Sequence, residues 1–589
     1  MSSKFLLEEA HKHIGFVQKS LEQTLVQLEN QSEKLKADFP KAEASEKLSI
    51  STLLAYTNKR QQEVKSLYPS PFFSRCDITS NTKDSSIYVG KFSYPEKSIV
   101  SWISPISVLR FAKPGLATYS TPNRAKREVI LKRKDEYMIK DGEIVFFSTE
   151  TIETPRSLIY QEHFSNRKSG FILPEIISKM EEAQDKVIRA SGKGPLIISG
   201  PAGSGKTTLA LHRIAYLMQV PEISDLFPAH RIRVFVQDHG TKSYFGALLP
   251  ELGIDNVEII TFRDWALDIL ELTASENILS VPDVEEDIIQ YQKINILRNC
   301  TSNSFDNSWK FLREQYKKNC KHGLDIVLER LEKNILDNLD LTILLKVYKK
   351  KHKTLHEARE YLVQQKNSFE VKRKVGRFDV VYNLCVVDEF QNYLPEQLQL
   401  IRGCINEETQ SIIYVGDLAQ QTHIGTIKSM NEIGENVSTS RTITLEKVYR
   451  NTKQILRYVK SNGYDISIPN ELEEGIPVQT LPNNKKTQEY LTAIALKHKD
   501  RLIGILAKNY TDLEPYKQLK NEKHIKILTI AEAQGVEFDT VFLIGDMTES
   551  ITFDAKIYTA EMLAEKQRIN RDLYYVALTR AMREMYVVK

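Results

Sequence analysis

Lys206, Thr207, Asp388 and Glu389 are the residues whose types and surroundings could do chemistry. The first two close the run Gly200-Pro201-Ala202-Gly203-Ser204-Gly205-Lys206-Thr207-Thr208, a G-x-x-x-x-G-K-[ST] pattern. An apolar stretch, Leu196-Ile197-Ile198-Ser199, precedes it, and a helical pattern from Leu209 to Leu217 follows. In that setting glycines let the backbone curl so that successive N–H groups face phosphate oxygens, and the helix N-terminus adds partial positive charge. Lys206 would reach the β and γ phosphates, and the Thr207 hydroxyl would sit on Mg²⁺. The alternative, a glycine-rich turn without a ligand, is disfavoured by the strand–loop–helix context. The sequence therefore predicts a nucleoside triphosphate site.

Two more apolar runs end in acidic and amide groups. Leu384-Cys385-Val386-Val387 leads into Asp388-Glu389-Phe390-Gln391, and Ser411-Ile412-Ile413-Tyr414-Val415 into Gly416-Asp417-Leu418-Ala419-Gln420. Asp388 would hold Mg²⁺, directly or through water, and Glu389 is the natural base for a water attacking the γ phosphate. A lone Asp-Glu pair after a strand is a weak signal; behind a phosphate loop, with a second strand-end Gly-Asp-x-x-Gln, it is strong. Arg450 and Arg580 come later in the chain. Each alone reads as a surface ion-pair partner, but arginines of a second lobe facing a nucleotide would stabilise transition-state charge.

These groups need a frame to position them. A chain of 589 residues is too long for one core and should split into several domains. With 41% hydrophobic and 27% charged residues the composition is that of a soluble globular protein. A formal charge of +4 is small for this size, so nucleic-acid binding can be argued only from local patches. Five cysteines without C-x-x-C spacing argue against a zinc module or a disulfide framework. No apolar run approaches a membrane span, and the protein is expected to be cytoplasmic.

Residues 1–68 read as an antiparallel coiled-coil hairpin, with Ile14, Leu21, Leu28 and Leu35 recurring every seven residues and a break at Pro40. A projecting arm with Asp38, Glu43 and Glu46 near its tip is preferred over a helical pair lying flat on the body. Residues 69–165 read as a small β-rich module, with strands at 86–90, 98–103, 128–132 and 143–147 and a turn at Lys140-Asp141-Gly142. Alternating strands and helices over 166–265 and 381–440 predict a parallel α/β lobe, and 441–589 a second one. Between them, 266–380 reads as a helical basic insertion. Its lysines, Lys349, Lys350 and Lys351 among them, form either a solvated face or a contact to a phosphate backbone.

Taken in order across residues 180–585, these motifs resemble superfamily 1 helicases of the UvrD/Rep type. The resemblance implies two RecA-like lobes that close on ATP and Mg²⁺. By it, Gln184 reads adenine, Arg213 and Tyr449 stack on it, and Glu537 holds the ribose. Arg450 and Arg580 contact the γ phosphate, Gln420 belongs to the third motif, and Thr261-Phe262 touches DNA. The run Gln421-Thr422-His423-Ile424-Gly425 stands where the family has an aromatic and a Trp-Arg-Gly that grip single-stranded DNA, leaving His423 as the candidate there. Gln534 replaces the usual lysine before the fifth motif's glycine, and the segment from Arg450 to Thr529 is too short for the large insertion of the second lobe.

The N-terminal half resembles the HelD branch in Ser70-Pro71-Phe72-Phe73-Ser74-Arg75-Cys76-Asp77, Trp102-Ile103-Ser104-Pro105-Ile106-Ser107 and Lys113-Pro114-Gly115-Leu116-Ala117-Thr118-Tyr119. That resemblance implies a monomeric ATPase that remodels RNA polymerase–nucleic acid complexes, its hairpin entering the polymerase. A 3′-to-5′ DNA helicase or translocase in repair or defence, acting on single-stranded DNA, is the other expectation. A nucleotide-gated binding protein with slow hydrolysis is a third, and Glu389 and Arg580 argue against it.

Overall fold

The structure is a computed structural model. It describes every residue except 1–2, 81–82, 122–124, 154–156, 162–181, 202–203, 221, 240, 243–244, 247–248, 250–251, 253, 255, 276–282, 365–370, 419, 446–450, 467, 469–471, 500, 523, 531, 534–535, 537 and 546–558. The chain forms two compact units. One holds Met1–Ala190, Leu211–Asp225 and Leu248–Asp255; the other holds Ser191–Ala210, Leu226–Ala247 and Asn256–Lys589.

In the first unit, helices α1 (Ser3–Asp38) and α2 (Ala44–Leu67) are joined by a tight turn, Phe39–Lys41. Pro40, which has no N–H to donate, stops α1. The apolar seam is real but unequally used. Leu6, Ala10, Ile14, Val17 and Leu21 of α1 and Val64 and Leu67 of α2 are buried with Phe72, Tyr88, Tyr94, Tyr137 and Phe147 of the β module. Farther out the helices hold mainly each other, through Ser32 Oγ to Asn58 Oδ1 at 3.1 Å and Gln61 Nε2 to Glu29 Oε1 at 3.1 Å. There Leu48, Leu53 and Tyr56 are exposed. The hairpin thus combines both sequence alternatives, a base built into the module and an outer half that is not. Its tip is of mixed charge: Lys36, Lys41 and Lys47 accompany Asp38 and Glu43, and Glu46 accepts the Glu43 N–H.

The β module is a seven-stranded sheet: β1 (Ser74–Ser80), β2 (Lys83–Gly90), β3 (Ile99–Ser101), β4 (Gly115–Ser120), β5 (Lys126–Lys140), β6 (Glu143–Thr151) and β7 (Ser157–Gln161). Its order is β3-β2-β1-β5-β6-β7, with β4 also on β5. Asp141 and Gly142 take φ of 50° and 85° in the β5–β6 turn, the left-handed pair a tight hairpin needs. Half-buried charges fix the helical arm to this sheet. Glu9 accepts from Arg75 at 2.7 Å and Arg133 at 3.1 Å, and Arg133 also pairs with the fully buried Asp135 at 2.6 Å.

The second unit contains two all-parallel sheets, the layout expected of RecA-like lobes. The first has the order β10-β9-β13-β14-β8-β15, from β8 (Pro195–Ser199), β9 (Ile232–Val236), β10 (Glu258–Thr261), β13 (Leu384–Asp388), β14 (Ser411–Val415) and β15 (Thr442–Thr444). Strands β9, β13 and β14 are buried throughout, as apolar strands covered on both faces must be. The second sheet is β16-β20-β19-β17-β18, from β16 (Gln479–Leu481), β17 (Ile503–Ala507), β18 (Ile525–Thr529), β19 (Phe538–Ile544) and β20 (Ala581–Val588).

The insertion expected to be helical across 266–380 is helical only as far as His352. Residues 356–379 instead form a two-stranded hairpin, β11 (His356–Gln364) against β12 (Val371–Asp379). Tyr361, Val363, Val371, Val375 and Phe378 supply the β-branched and aromatic side chains that favour strands, and the interleaved lysines and arginines had masked the pattern.

Candidate nucleotide site

Parallel pairing places the ends of β8, β13 and β14 side by side, because Val415 pairs with both Ile198 and Asp388. Three chain-distant segments, 200–208, 388–391 and 416–420, therefore meet at the C-terminal edge of one sheet, where α/β folds bind ligands. Gly200 has φ +147°, and a Cβ there would run into the Leu445 carbonyl, so only glycine fits the exit from β8. Gly205, at φ +87°, makes the second left-handed turn before the helix Lys206–Gln219.

The Thr207 hydroxyl donates to Asp388 Oδ1 at 3.0 Å. Lys206 is 7% exposed, and its ammonium donates to the Pro201 carbonyl at 3.1 Å. The Ser204 hydroxyl is buried without a hydrogen-bond partner among the described residues. Burial, reinforced by the neighbouring Glu389 carboxylate, pushes the Asp388 carboxyl up to about 7 against the pull of Thr207 and Lys206. This donor set fits a hard cation: a hydroxyl and a buried carboxylate oxygen in contact, with a second carboxylate adjacent, suit Mg²⁺. The unpartnered Ser204 hydroxyl and the inward-held Lys206 suit phosphate oxygens.

Glu389 adopts φ 50°, a strained backbone for a residue with a Cβ. Gln391 fixes its side chain, donating from Nε2 to Glu389 Oε2 at 2.5 Å while its Oε1 accepts the Asp417 N–H at 3.1 Å. Gly416 gives that amide its room, since a Cβ at 416 would overlap Gln391 Oε1. Gln420 donates to Asp417 at 2.8 Å. Nothing local in the sequence links Gln391 to Asp417; the contact comes from the adjacency of β13 and β14.

Loop 421–425 is held from the second sheet's side. The helix Ala560–Thr579 presents Asp572, which accepts the Gln421 N–H at 3.0 Å, and Glu565, which accepts the Gly425 N–H at 3.1 Å. Tyr291 OH donates to Glu565 at 2.7 Å, and Lys566 pairs with Asp287 at 2.8 Å. No local sequence signal marks these carboxylates, which sit in an ordinary amphipathic helix.

Other expected residues are placed as follows. Ala202, Gly203, Tyr449, Arg450 and Glu537 lie outside the described residues. Gln184 is half-buried in the short helix Glu182–Ile188. Arg213 is fully buried, its guanidinium donating to the carbonyls of Val187, Ile188 and Ala190, so it clamps that helix's end and shows no free face for stacking. Arg580 is 6% exposed, donating to the Val576 carbonyl at 3.1 Å and the Val536 carbonyl at 3.4 Å.

The nucleic-acid candidates fare unevenly. Thr261 caps the helix Phe262–Leu270 by accepting the Asp264 N–H, and Phe262 is packed in the core, so this pair supports the fold and does not face a polymer. Lys350 donates to the Cys300 carbonyl, and the Lys349 ammonium covers Gly403, so these two are engaged within the fold. His423 is exposed. Among the described residues no helix is long and apolar enough to cross a membrane.

Comparison with known proteins agrees with this geometry. The profile of the UvrD/REP helicase N-terminal domain matches residues 180–423, and that of the viral superfamily 1 RNA helicase core domain matches residues 333–589. The ATP-dependent DNA helicase PcrA of Staphylococcus epidermidis is 25% identical over 303 residues, covering 48% of this chain and 39% of that protein. PcrA of Leuconostoc citreum is 22% identical over 401 residues, covering 64% and 50%. The chain thus spans about half or less of the length of these relatives. The solved Pif1 helicase of Candida albicans is 12% identical, with a TM-score of 0.29 over 70% of this chain and 94% of that one. The segments 200–208, 388–391 and 416–420, which meet at one sheet edge, all fall within the residues, 180–423, over which the chain is similar to the UvrD/REP helicase N-terminal domain.

Proposed function

We propose that this chain is an ATP-dependent motor of the superfamily 1 helicase type, in which hydrolysis at the β8–β13–β14 edge drives closure of the two lobes. The observation that carries the reading is the Thr207–Asp388 contact with Glu389 anchored beside it by Gln391. Thr207 and Asp388 would hold Mg²⁺, which supplies charge neutralisation at the phosphates. Lys206 binds the β and γ phosphates, and Glu389 takes the proton of the attacking water. Arg450 and Arg580 reach the γ phosphate on closure, so Arg580 must exchange its carbonyl partners for phosphate oxygens. Adenine recognition by Gln184 and Tyr449, and ribose contact by Glu537, belong to the same proposal, as does binding of single-stranded DNA; Arg213, spent on backbone carbonyls, instead holds the end of the helix that carries Gln184.

We further propose that the output is HelD-like remodelling of RNA polymerase–nucleic acid complexes, with the outer half of the α1–α2 hairpin as the element that enters the polymerase. Its exposed Leu48, Leu53 and Tyr56, on an arm whose base is locked by Glu9, Arg75 and Arg133, support that use. The second reading, a 3′-to-5′ DNA translocase, is supported by the likeness to PcrA.

Lys206→Ala should abolish ATP turnover; hydrolysis at the wild-type rate in that variant removes the site assignment. Deleting residues 1–68 would unroof the β-module core, so the partner test should shorten the arm instead. Replacing residues 31–59 by a short glycine-rich turn should leave ATPase activity intact and lose RNA polymerase from a pull-down. Unchanged polymerase recovery would favour the translocase.

A further inference from the structure

The β11–β12 hairpin has two unlike faces. The register Tyr361↔Lys374 puts Glu357, Arg359, Tyr361, Val363, Lys372, Lys374, Gly376 and Phe378 on one face by strand alternation. On that face the Tyr361 and Phe378 rings meet edge to face, with centroids 5.6 Å apart, and each residue remains 40% exposed. Gly376 lies beneath them: a Cβ there would stand 2.9 Å from Tyr361 Cε1 and 3.2 Å from Phe378 Cε2. Glycine therefore lets the two rings settle over the backbone and keep their outer surfaces open.

Charge is distributed as unevenly as the rings. On the opposite face the cations have acidic partners, Arg373 with Glu360 at 3.7 Å and Arg377 with Glu271 at 2.8 Å. On the aromatic face Glu357 is taken by Arg359, and among the described residues Lys372 and Lys374 have no acidic partner. Two open π surfaces flanked by two unmatched ammonium groups is the combination that binds single strands without sequence preference, bases on the rings and phosphates on the lysines.

We propose that this face of β11–β12 is a stacking platform for single-stranded nucleic acid. The proposal rests on the nucleic-acid part of the function proposed above. It also accounts for the missing aromatic grip at Gln421–Gly425: the stacking surface lies on the hairpin instead. Duplex nucleic acid, whose bases are already stacked, would meet only the lysines.

A cross-strand aromatic pair also stabilises a two-stranded sheet, which is marginal by itself, so the test must separate stacking from folding. Binding of a fluorescein-labelled oligo-dT to the full chain should be followed by anisotropy over a salt series. Tyr361→Leu with Phe378→Leu keeps apolar cross-strand packing and removes the π faces; affinity should fall by about tenfold or more for the pair. Lys372→Ala with Lys374→Ala lies outside the ring packing; it should lower the slope of log K against log salt by about 1.4. Basal ATP hydrolysis should be unchanged in both. Wild-type affinity in both pairs overturns the platform and leaves the motor standing, as does a loss on duplex DNA equal to that on oligo-dT in the Tyr361→Leu, Phe378→Leu pair. If the wild-type chain itself fails to bind oligo-dT, the platform and the nucleic-acid part of the proposed function fall together, and the ATPase assay of Lys206→Ala then decides the motor separately.

Discussion

The carboxylate of Asp572 accepts the backbone N–H of Gln421 at 3.0 Å, although 151 residues separate them. Glu565, seven residues earlier and thus on the same helix face, does the same for Gly425. The helix that carries both acids ends at Thr579, next to Arg580. Loop 421–425 in turn follows Gln420 and Asp417, which hydrogen-bond each other and, through Gln391, reach Glu389. Glu389 and Arg580 are therefore linked by hydrogen bonds together with the backbone that joins Gln420 to Gln421 and Asp572 to Arg580.

Cutting that path at Asp572 should uncouple turnover from binding. A buried N–H left without its charged acceptor costs about 1.5–3 kcal/mol. Asp572→Ala should lower the melting temperature and reduce kcat about tenfold, while the nucleotide concentration for half-maximal turnover changes little. A loss expressed only in KM would show that Asp572 serves binding and not closure.

Asp572 also gives a pH signature. Burial outweighs the Gln421 N–H and the nearby Arg568 and Arg571, pushing its carboxyl up to about 6. The unfolded chain titrates near 3.8, so between the two values the folded state binds the extra proton. Its ionisation thus costs stability above pH 6, and that cost disappears as pH falls toward 4. Asp572→Asn, which keeps an acceptor and removes the charge, should gain most over the wild type at pH 7. The gain should shrink on acidification through pH 6 in thermal melts; a constant difference would contradict the assignment.

Gln391 is expected to act as a positioning residue for Glu389. Its amide touches the Glu389 carboxylate on one side and the Asp417 N–H on the other. Gln391→Ala should lower kcat by about ten- to a hundredfold with KM nearly unchanged, a fraction of the effect of a general base itself. Gly416→Ala should reproduce the defect by displacing the same amide. Wild-type turnover in Gln391→Ala would leave Glu389 to be oriented by its own left-handed backbone.

The strand and helix that flank Gly200–Gly205 and the Asp388-Glu389 strand end are legible in the sequence because each is local: a strand, a few special residues, then a turn or helix. Links between motifs are not, since Gln391–Asp417 and Asp572–Gln421 depend on strand order and lobe packing that no local pattern encodes. Arg213 shows the reverse failure, a motif position whose guanidinium is spent on the carbonyls of Val187, Ile188 and Ala190. The hairpin 356–379 escaped because strand periodicity of Tyr361, Val363, Val375 and Phe378 was overlaid by a run of basic residues that reads equally well as a helix surface.

His13 offers a test of how firmly the helical arm is rooted. Its ring stacks on Tyr88 with centroids 4.1 Å apart, and its Nε2 is buried without a hydrogen-bond partner among the described residues. Burial, then repulsion from Arg75 and Lys97 against the attraction of Glu9, brings its pKa down to about 4. The unfolded chain, with a histidine near 6.5, takes up the proton first as pH falls. The contribution of His13 to stability is therefore complete above about pH 6.5 and is lost progressively as pH falls toward 4. His13→Phe keeps an aromatic ring against Tyr88, removes the unpaired nitrogen and cannot be protonated. It should raise the melting temperature of the unit that contains the arm at pH 7, and its advantage over the wild type should widen as the pH is taken from 7 to 5. An advantage that stays constant over that range would mean that His13 is not held neutral by the packing of the arm on β2.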